Sequence, residues 1–460
     1  MPHWLYTLLM RLLLPVIMGW MVWRGWRNHA HRDRLGERLG FGLARRRDHP
    51  LWLHAASVGE VQSLAGLVRV LQQRHPHQPL LITVGSPTGV TRARELFTRG
   101  KAADAAAILL SPLDLPGAAR RFLEANAPIA GAIVETEIWP NVIAAAARAG
   151  VPMTMVSARV SEASTLRYLR FGRSLMRATL ARIIGIGTQS AEDSGRFIRL
   201  GAEPASVQVI GNLKFDYPLP DGIDVLGQKL RARYAPGRPM WVAGSTHPVE
   251  EEACLAAHRT LMERARAVGV PAPLLVMAPR RTERFDAVAH WLHQQGIKFA
   301  RHSSAEPLAD PGSIDVLLVD TLGELLAFYA AGDVGFVGGS LVPVGGHNLL
   351  EPAALGKPVV CGPYSFNSPE AARLLDDAGA LSRVKDAEEL ADVLVRLLGD
   401  RAAAAVQGER AAAAVVANRG AAARALAMIE SSLPAAAAAE PLPEAAVSGS
   451  SSSRQAGLQS

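Results

Sequence analysis

The chain has 460 residues, enough for two or three domains with a core in each. Hydrophobic residues at 49% and charged residues at 20% exclude a largely disordered chain, and a mean hydropathy of +0.12 points to membrane contact. Two cysteines, Cys254 and Cys361, exclude a disulfide framework and suit a reducing compartment. A formal charge of +7 and a pI near 9.7 favour anionic partners. With 5% aromatics and no basic–aromatic interleaving, nucleic acid is not expected, and an anionic membrane surface accounts for the charge better.

Residues 1–27 read as a membrane anchor. From Trp4 to Trp23 the only charge is Arg11, and about 20 apolar residues suffice to cross a bilayer core. Trp4, Trp20, Trp23 and Trp26 lie toward the ends, where interfacial residues sit. Arg24, Arg27, Arg32, Arg34 and Arg38 follow, which predicts a cytoplasmic location for the bulk of the chain. A cleaved signal peptide fits less well, because the basic residues follow the apolar run and no small-residue cleavage site is evident. Arg11 and Pro15 leave open whether the segment spans or lies on the membrane.

Strands and helices alternate from Pro50 onward. Apolar runs at Leu51–Ala55, Leu80–Val84, Ala106–Leu110, Ala130–Val134, Met153–Val156 and Ile183–Ile186 are each followed by a helical pattern, the rhythm of a parallel sheet covered on both faces. The rhythm breaks around Gly211–Asp216, Pro218 and Pro220. It resumes with Met240–Ala243, Leu274–Met277, Val316–Val319, Val334–Val337 and Val359–Val360. The expectation is two doubly wound Rossmann-like α/β domains, 28–216 and 217–433, facing across a cleft with strand C-terminal ends on either side. Helices at Ala387–Leu398 and Ala402–Leu433 are alanine-rich with weak packing faces, and residues 434–460 read as a disordered tail.

Polar groups recur where strands end. Ser57-Val58-Gly59-Glu60 opens a helix whose apolar positions are Val61, Leu64, Leu67, Val68 and Leu71, so Glu60 stands in its first turn, as dipole compensation or as a general base. Glu135-Thr136-Glu137 closes a buried strand with two acids one residue apart, one able to cap the following helix and the other to face the cleft. Lys214 lies in the interdomain segment, able to meet an anionic substrate or to be solvated. In the second domain Ser245 suits a helix N-cap, Arg280 and Arg281 suit bidentate phosphate binding, and Asp320–Leu325 forms a turn able to hold a base or ribose. The segment Pro343–Pro352 is the most informative. After the strand Val334–Val337, glycine pairs lead to a short helix opening at Asn348, which outlines an anion site, while Glu351 suits a ribose diol. No His, Asp and Cys cluster has metal-ligand spacing.

Ser57–Glu60, Ser86-Pro87-Thr88-Gly89, Glu135–Asn141, Gly211–Asp216, Pro279-Arg280 and Gly345–Pro352, in this order and over roughly residues 1 to 430, together resemble the 3-deoxy-D-manno-octulosonic acid (Kdo) transferases of lipopolysaccharide synthesis. The resemblance implies a GT-B fold and an inverting, metal-independent transfer of Kdo from CMP-Kdo to the lipid A precursor, lipid IVA, at the cytoplasmic side of the cell inner membrane. It implies Glu60 as general base and Glu135 and Lys214 as transition-state stabilisers. It also implies nucleotide contacts from Pro279, Arg280, Gly323, Glu324, Leu325, Asn348, Leu349, Leu350 and Glu351. The chain departs from the family pattern at Arg281, where histidine is common, and at Ser86, where threonine is. The same fold also serves UDP-sugar-dependent lipid glycosyltransferases and nucleotide-sugar epimerases.

Overall fold

A computed structural model describes residues 1–27, 34–98, 106–216, 219–304 and 310–433, with the side chains of 24–27 outside the description. The side chains of Arg24, Trp26 and Arg27, all of Arg32, and the expected tail at 434–460 therefore lie outside the described residues. The chain divides into two compact units, Met1–Asp216 with Gly420–Ser460, and Tyr217–Arg419.

The first unit contains β1 (Leu51–Ala55), β2 (Leu80–Val84), β3 (Ala106–Leu110), β4 (Ala130–Val134), β5 (Met153–Ala158), β6 (Gly185–Thr188) and β7 (Val207–Val209). They form one parallel sheet in the order β3-β2-β1-β4-β5-β6-β7, with His54 in register with Thr83 on one side and Ile133 on the other. Alternation along β1 sends Leu53 and Trp52 to opposite faces. Leu53 joins a core with Leu64, Ile82 and Leu213, and Trp52 joins another with Phe122, Ile143 and Phe197.

The second unit contains β8 (Met240–Thr246), β9 (Leu274–Pro279), β10 (Phe299–Arg301), β11 (Val316–Leu318), β12 (Val334–Val337), β13 (Val359–Cys361) and β14 (Leu381–Arg383), again all parallel, in the order β10-β11-β9-β8-β12-β13-β14. In both sheets the order reverses beside the first strand of the unit: between β1 and β4, and between β8 and β12. Such a switch point opens a crevice at the strand C-termini, where α/β sheets bind ligands. Three edge strands, β7, β10 and β14, are absent from the sequence reading; each has three residues, too few to establish a period.

The C-terminal region differs from expectation. In place of one helix over Ala402–Leu433 there are two, Arg401–Ala417 and Ala421–Glu430, broken where Gly420 adopts φ 95°. The second of these belongs with the first unit rather than with 217–433. The Asp216 carboxylate accepts hydrogen bonds from Gly420 N (2.7 Å) and Ala422 N (2.6 Å), capping its start. Its packing face is also substantial, because Ala421, Ala425, Leu426 and Ile429 are buried in the Leu53 core.

Candidate functional site

Glu60 occupies the third position of the helix Val58–Arg74, and Ser57 is the N-cap. Ser57 Oγ accepts from Glu60 N (3.2 Å), while the Glu60 carboxylate accepts from Ser57 Oγ (2.8 Å) and Ala56 N (2.7 Å). This is a capping box with the carboxylate reaching one residue further back, so Glu60 is structurally employed whatever else it does. Burial raises its pKa above the ordinary glutamate value, and repulsion from Glu135 and Glu137 adds to the rise. Glu137 is raised by burial too, with Trp139 Nε1 donating to it at 2.7 Å.

Glu135 follows β4 directly, at φ 58°, a left-handed conformation that a side chain with a Cβ adopts at a cost. Its carboxylate is 5% exposed as a residue and lies between two cations, Lys214 Nζ at 2.7 Å and Arg159 Nε at 3.2 Å. A buried charge requires such partners. Lys214 is thus not a free solvated cation; it is held by Glu135, and its backbone N–H donates to Asn212 Oδ1 (2.9 Å). Asn212 Nδ2 donates to Gln189 Oε1 (3.2 Å), which fixes the turn carrying the lysine. Glu60 and Glu135 follow β1 and β4, the two strands at the switch point of this sheet. Sequence reasoning missed Arg159, which nothing in its local pattern separates from other surface arginines.

In the second unit the residues after β8 and β12 are linked through a residue the sequence reading passed over. Glu250, fully buried, accepts four backbone hydrogen bonds, from His247 N (3.0 Å), Gly339 N (2.7 Å), Ser340 N (2.9 Å) and Leu341 N (2.8 Å). The donors of the turn after β12 are therefore taken by an internal carboxylate and not left for a ligand anion. A run of three glutamates opening a helix gives no sign in the sequence of which one is buried. Glu251, also buried, receives a bidentate ion pair from Arg284 (2.7 and 2.8 Å). Ser245 is not an N-cap; it lies inside β8 at φ 56°, and the next helix starts at Glu250 after Val249 at φ 74°.

Gly346 N and His347 N donate back to Gly339 O and Gly338 O (2.7 and 3.1 Å), folding the glycine-rich segment over the end of β12. Gly339 sits at φ 70° with its missing Cβ 2.9 Å from the His347 ring, so only glycine fits there. His347 Nε2 lies 2.9 Å from His247 Nε2 with the rings nearly coplanar, one nitrogen donating to the other. Burial holds His347 down to about 4, with the Arg280 guanidinium contributing, and it lowers His247 as well. Pro279 ends β9 in a buried position, and Arg280 next to it is exposed, with no carboxylate pairing it among the described residues.

The helix expected from Asn348 covers Leu350–Ala354, and Asn348 Oδ1 accepts from Leu350 N (3.1 Å) while Asn348 Nδ2 donates to Glu351 Oε1 (3.2 Å). The Leu349 and Leu350 side chains are buried, so only their backbones are available to a ligand. On the turn after β11, Gly323 adopts φ 85°, Glu324 Oε2 lies 3.3 Å from His302 Nε2, and Leu325 begins the helix Leu325–Ala331. Asp320 is occupied by Arg301 and Ser303, whereas Thr321 Oγ1 is buried without a partner among the described residues. No group of three or more His, Cys, Asp or Glu is placed to hold a metal ion among the described residues.

Residues 33–217 match the family model described as 3-deoxy-D-manno-octulosonic-acid transferase. The chain is 39% identical to the 3-deoxy-D-manno-octulosonic acid transferase of Bordetella pertussis, over 86% of this chain and 91% of that protein. It is 35% identical to the enzyme of that name from Haemophilus influenzae, over 85% and 88%. Among solved structures, the UDP-GlcNAc 2-epimerase of Neisseria meningitidis superposes with a TM-score of 0.52 at 12% identity, covering 82% of this chain and 99% of that one. A glycosyltransferase of Rickettsia africae gives a TM-score of 0.52 at 10% identity, covering 84% and 99%. These two similarities concern the fold, two parallel-sheet α/β domains of the GT-B kind.

Proposed function

Because the chain belongs to the 3-deoxy-D-manno-octulosonic acid transferase family and is a glycosyltransferase, we propose that it moves Kdo from CMP-Kdo onto lipid IVA with inversion, using Glu60 as general base. The observation that carries the base assignment is a carboxylate at the first sheet's switch point whose pKa is raised by burial and by neighbouring acids. A base whose pKa approaches the working pH combines a useful deprotonated fraction with a stronger pull on the proton. The acceptor hydroxyl loses its proton to Glu60 as its oxygen bonds the anomeric carbon. The bond from that carbon to the phosphate oxygen breaks, and CMP departs with the electron pair. One such displacement inverts the anomeric centre.

Lys214, pinned by Glu135, places a positive charge for the donor's carboxylate or for the charge that develops on the way to products. Arg280 is available to the phosphate, and the Asn348–Glu351 pair offers an acceptor for the ribose hydroxyls. Pro279, Gly323, Glu324 and Leu325, with the backbones of Leu349 and Leu350, shape the remaining nucleotide contacts. The chemistry asks for no resident cofactor, since the leaving phosphate is stabilised by side-chain cations and N–H donors. The enzyme works at the cytoplasmic face of the inner membrane, where its apolar first helix meets an anionic lipid surface.

The test is incubation of the purified chain with CMP-Kdo and lipid IVA followed by mass spectrometry. A lipid product heavier by whole Kdo units supports the reading. An unchanged lipid, with turnover of a UDP-sugar instead, refutes it.

A further inference from the structure

The helix His3–Arg27 holds a stretch, His3–Trp23, long and apolar enough to cross a membrane, yet its start and the chain from Arg34 onward are both tied to the first unit. At the start, Tyr6 Oη donates to Asp114 Oδ2 (2.6 Å), Thr7 Oγ1 to Asn141 Oδ1 (2.7 Å), and Ser174 Oγ to the Met1 carbonyl (2.8 Å). Asp114 and Asn141 are buried, and Asp114 also accepts from Val142 N (2.8 Å), so this latch is built into the domain. Beyond the helix, Arg34 Nη2 donates to Ile108 O (3.3 Å), and Glu37 accepts from Leu110 N (3.2 Å), both on β3.

A helix of 25 residues is about 37 Å long at 1.5 Å per residue, and the seven steps from Arg27 to Arg34 reach at most about 25 Å. A helix crossing a hydrocarbon core of roughly 30 Å would need the same unit on both sides of the bilayer.

The pattern of exposure along the helix agrees. Positions 3, 6, 7, 10, 14, 17, 18 and 21 are partly or fully covered, a single stripe at three- and four-residue spacing. Arg11, on the edge of that stripe, lines a groove of about 840 Å³ together with Arg120, Arg148, Leu123 and Val151. The opposite face, including Trp4, Leu8, Leu12, Val16 and Trp23, is open and carries no charge over residues 3–23. Beside the latch, where Met1 N donates to Phe171 O (3.2 Å), Leu166 and Phe171 are exposed on a segment that also exposes Arg167, Arg170, Arg173 and Arg177. An apolar strip with a basic rim matches one anionic leaflet and does not match the interior of a bilayer on all sides.

We propose that the first helix does not span the membrane but lies lengthwise in one leaflet, docked on the first unit by the Tyr6–Asp114 and Thr7–Asn141 latch, with its uncharged face toward lipid. The inference rests on the membrane placement above and is independent of the transfer reaction.

Cys254 and Cys361 are buried, so an introduced cysteine reports by itself. Pro2→Cys marks the start of the helix, and Val416→Cys, at an exposed position of the second unit, marks the side on which that unit lies. Full-length variants in Gram-negative cells are treated with a membrane-impermeant maleimide, once as intact spheroplasts and once as inverted vesicles. In the in-plane arrangement both cysteines react in the same preparation, the inverted vesicles. Reaction of Pro2→Cys in spheroplasts and of Val416→Cys in inverted vesicles would overturn it and leave membrane placement standing. A second arm uses purified protein and vesicles of phosphatidylethanolamine with phosphatidylglycerol. Replacing Leu8, Leu12 and Val16 together by serine should lower the bound fraction at least tenfold, and unchanged binding would overturn the lipid-facing assignment. Failure of the parent protein to bind vesicles at all would remove the membrane placement itself.

Discussion

Two buried glutamates, one per unit, illustrate two ways of keeping a charge inside a protein. Glu135 stands at a strained φ of 58° and is neutralised by side chains, Lys214 and Arg159. Glu250 opens a helix and is neutralised by four backbone N–H groups, three of them from the turn after β12. The first arrangement holds its charge through side-chain cations, and Lys214 keeps its side chain 30% exposed. The second has no spare donor and serves to lock the glycine-rich turn in place. Under the proposed function, the chemistry falls to the first unit's acids and cations, and the second unit's equivalent region holds the nucleotide.

The sharpest way to break this comparison is at Glu250. Glu250→Ala would leave four backbone N–H groups unpaired, two of them fully buried, at a cost of roughly 4 kcal/mol. Denaturant unfolding of the purified chain should show it, with CMP no longer raising the melting temperature; a stability loss below about 1 kcal/mol would contradict the locking role. Next in size is Lys214→Met, which strips Glu135 of one partner and should destabilise by about 3 kcal/mol. Activity should drop well beyond what the unfolded fraction explains, and parental turnover in the folded fraction would reduce Lys214 to a structural ion pair. A smaller effect, about 1 kcal/mol, is expected for Asp216→Ala, which uncaps the helix Ala421–Glu430. Limited proteolysis near residue 420 should accelerate in that variant.

Acidification probes burial in both units at once. His54, His258 and His347 are each held near 4 by burial, against an ordinary value of 6.5. Between those values the unfolded chain binds protons that the folded chain does not, so stability declines as pH falls from about 6.5 toward 4. Asp114, raised by burial to about 6, works in the opposite direction over much of this window, because it takes up its proton more readily when folded. A melting temperature that rises on acidification through the window would contradict the net sign.

The parallel sheets were legible because buried runs such as Leu80–Val84 and Ala130–Val134 carry their own period and are bounded by turn residues; both occupy the residues expected of them. The break at Gly420 was not, since one glycine in an alanine-rich stretch is silent until Asp216, 204 positions earlier, is brought to cap the helix beginning at Ala421. At the first unit's site, Glu60 and Glu135 could be picked out as acids at strand ends, but the pairing of Glu135 with Lys214 and Arg159 is a product of tertiary folding. In the second unit Glu250 was hidden by its neighbours Glu251 and Glu252, which resemble it in sequence and differ from it only in what they touch.

The measurement that bears most directly on the general-base assignment is single-turnover transfer by Glu60→Gln. The amide oxygen can still accept from Ala56 N and the amide NH2 can donate to Ser57 Oγ, so the fold should persist, which circular dichroism and CMP-induced thermal stabilisation would verify. Transfer from CMP-Kdo to lipid IVA should fall by about 10²- to 10⁴-fold, and the acid limb of the parent's pH profile, placed above the ordinary glutamate range, should vanish. A folded Glu60→Gln protein that transfers Kdo at the parental rate with the same pH profile would contradict the assignment.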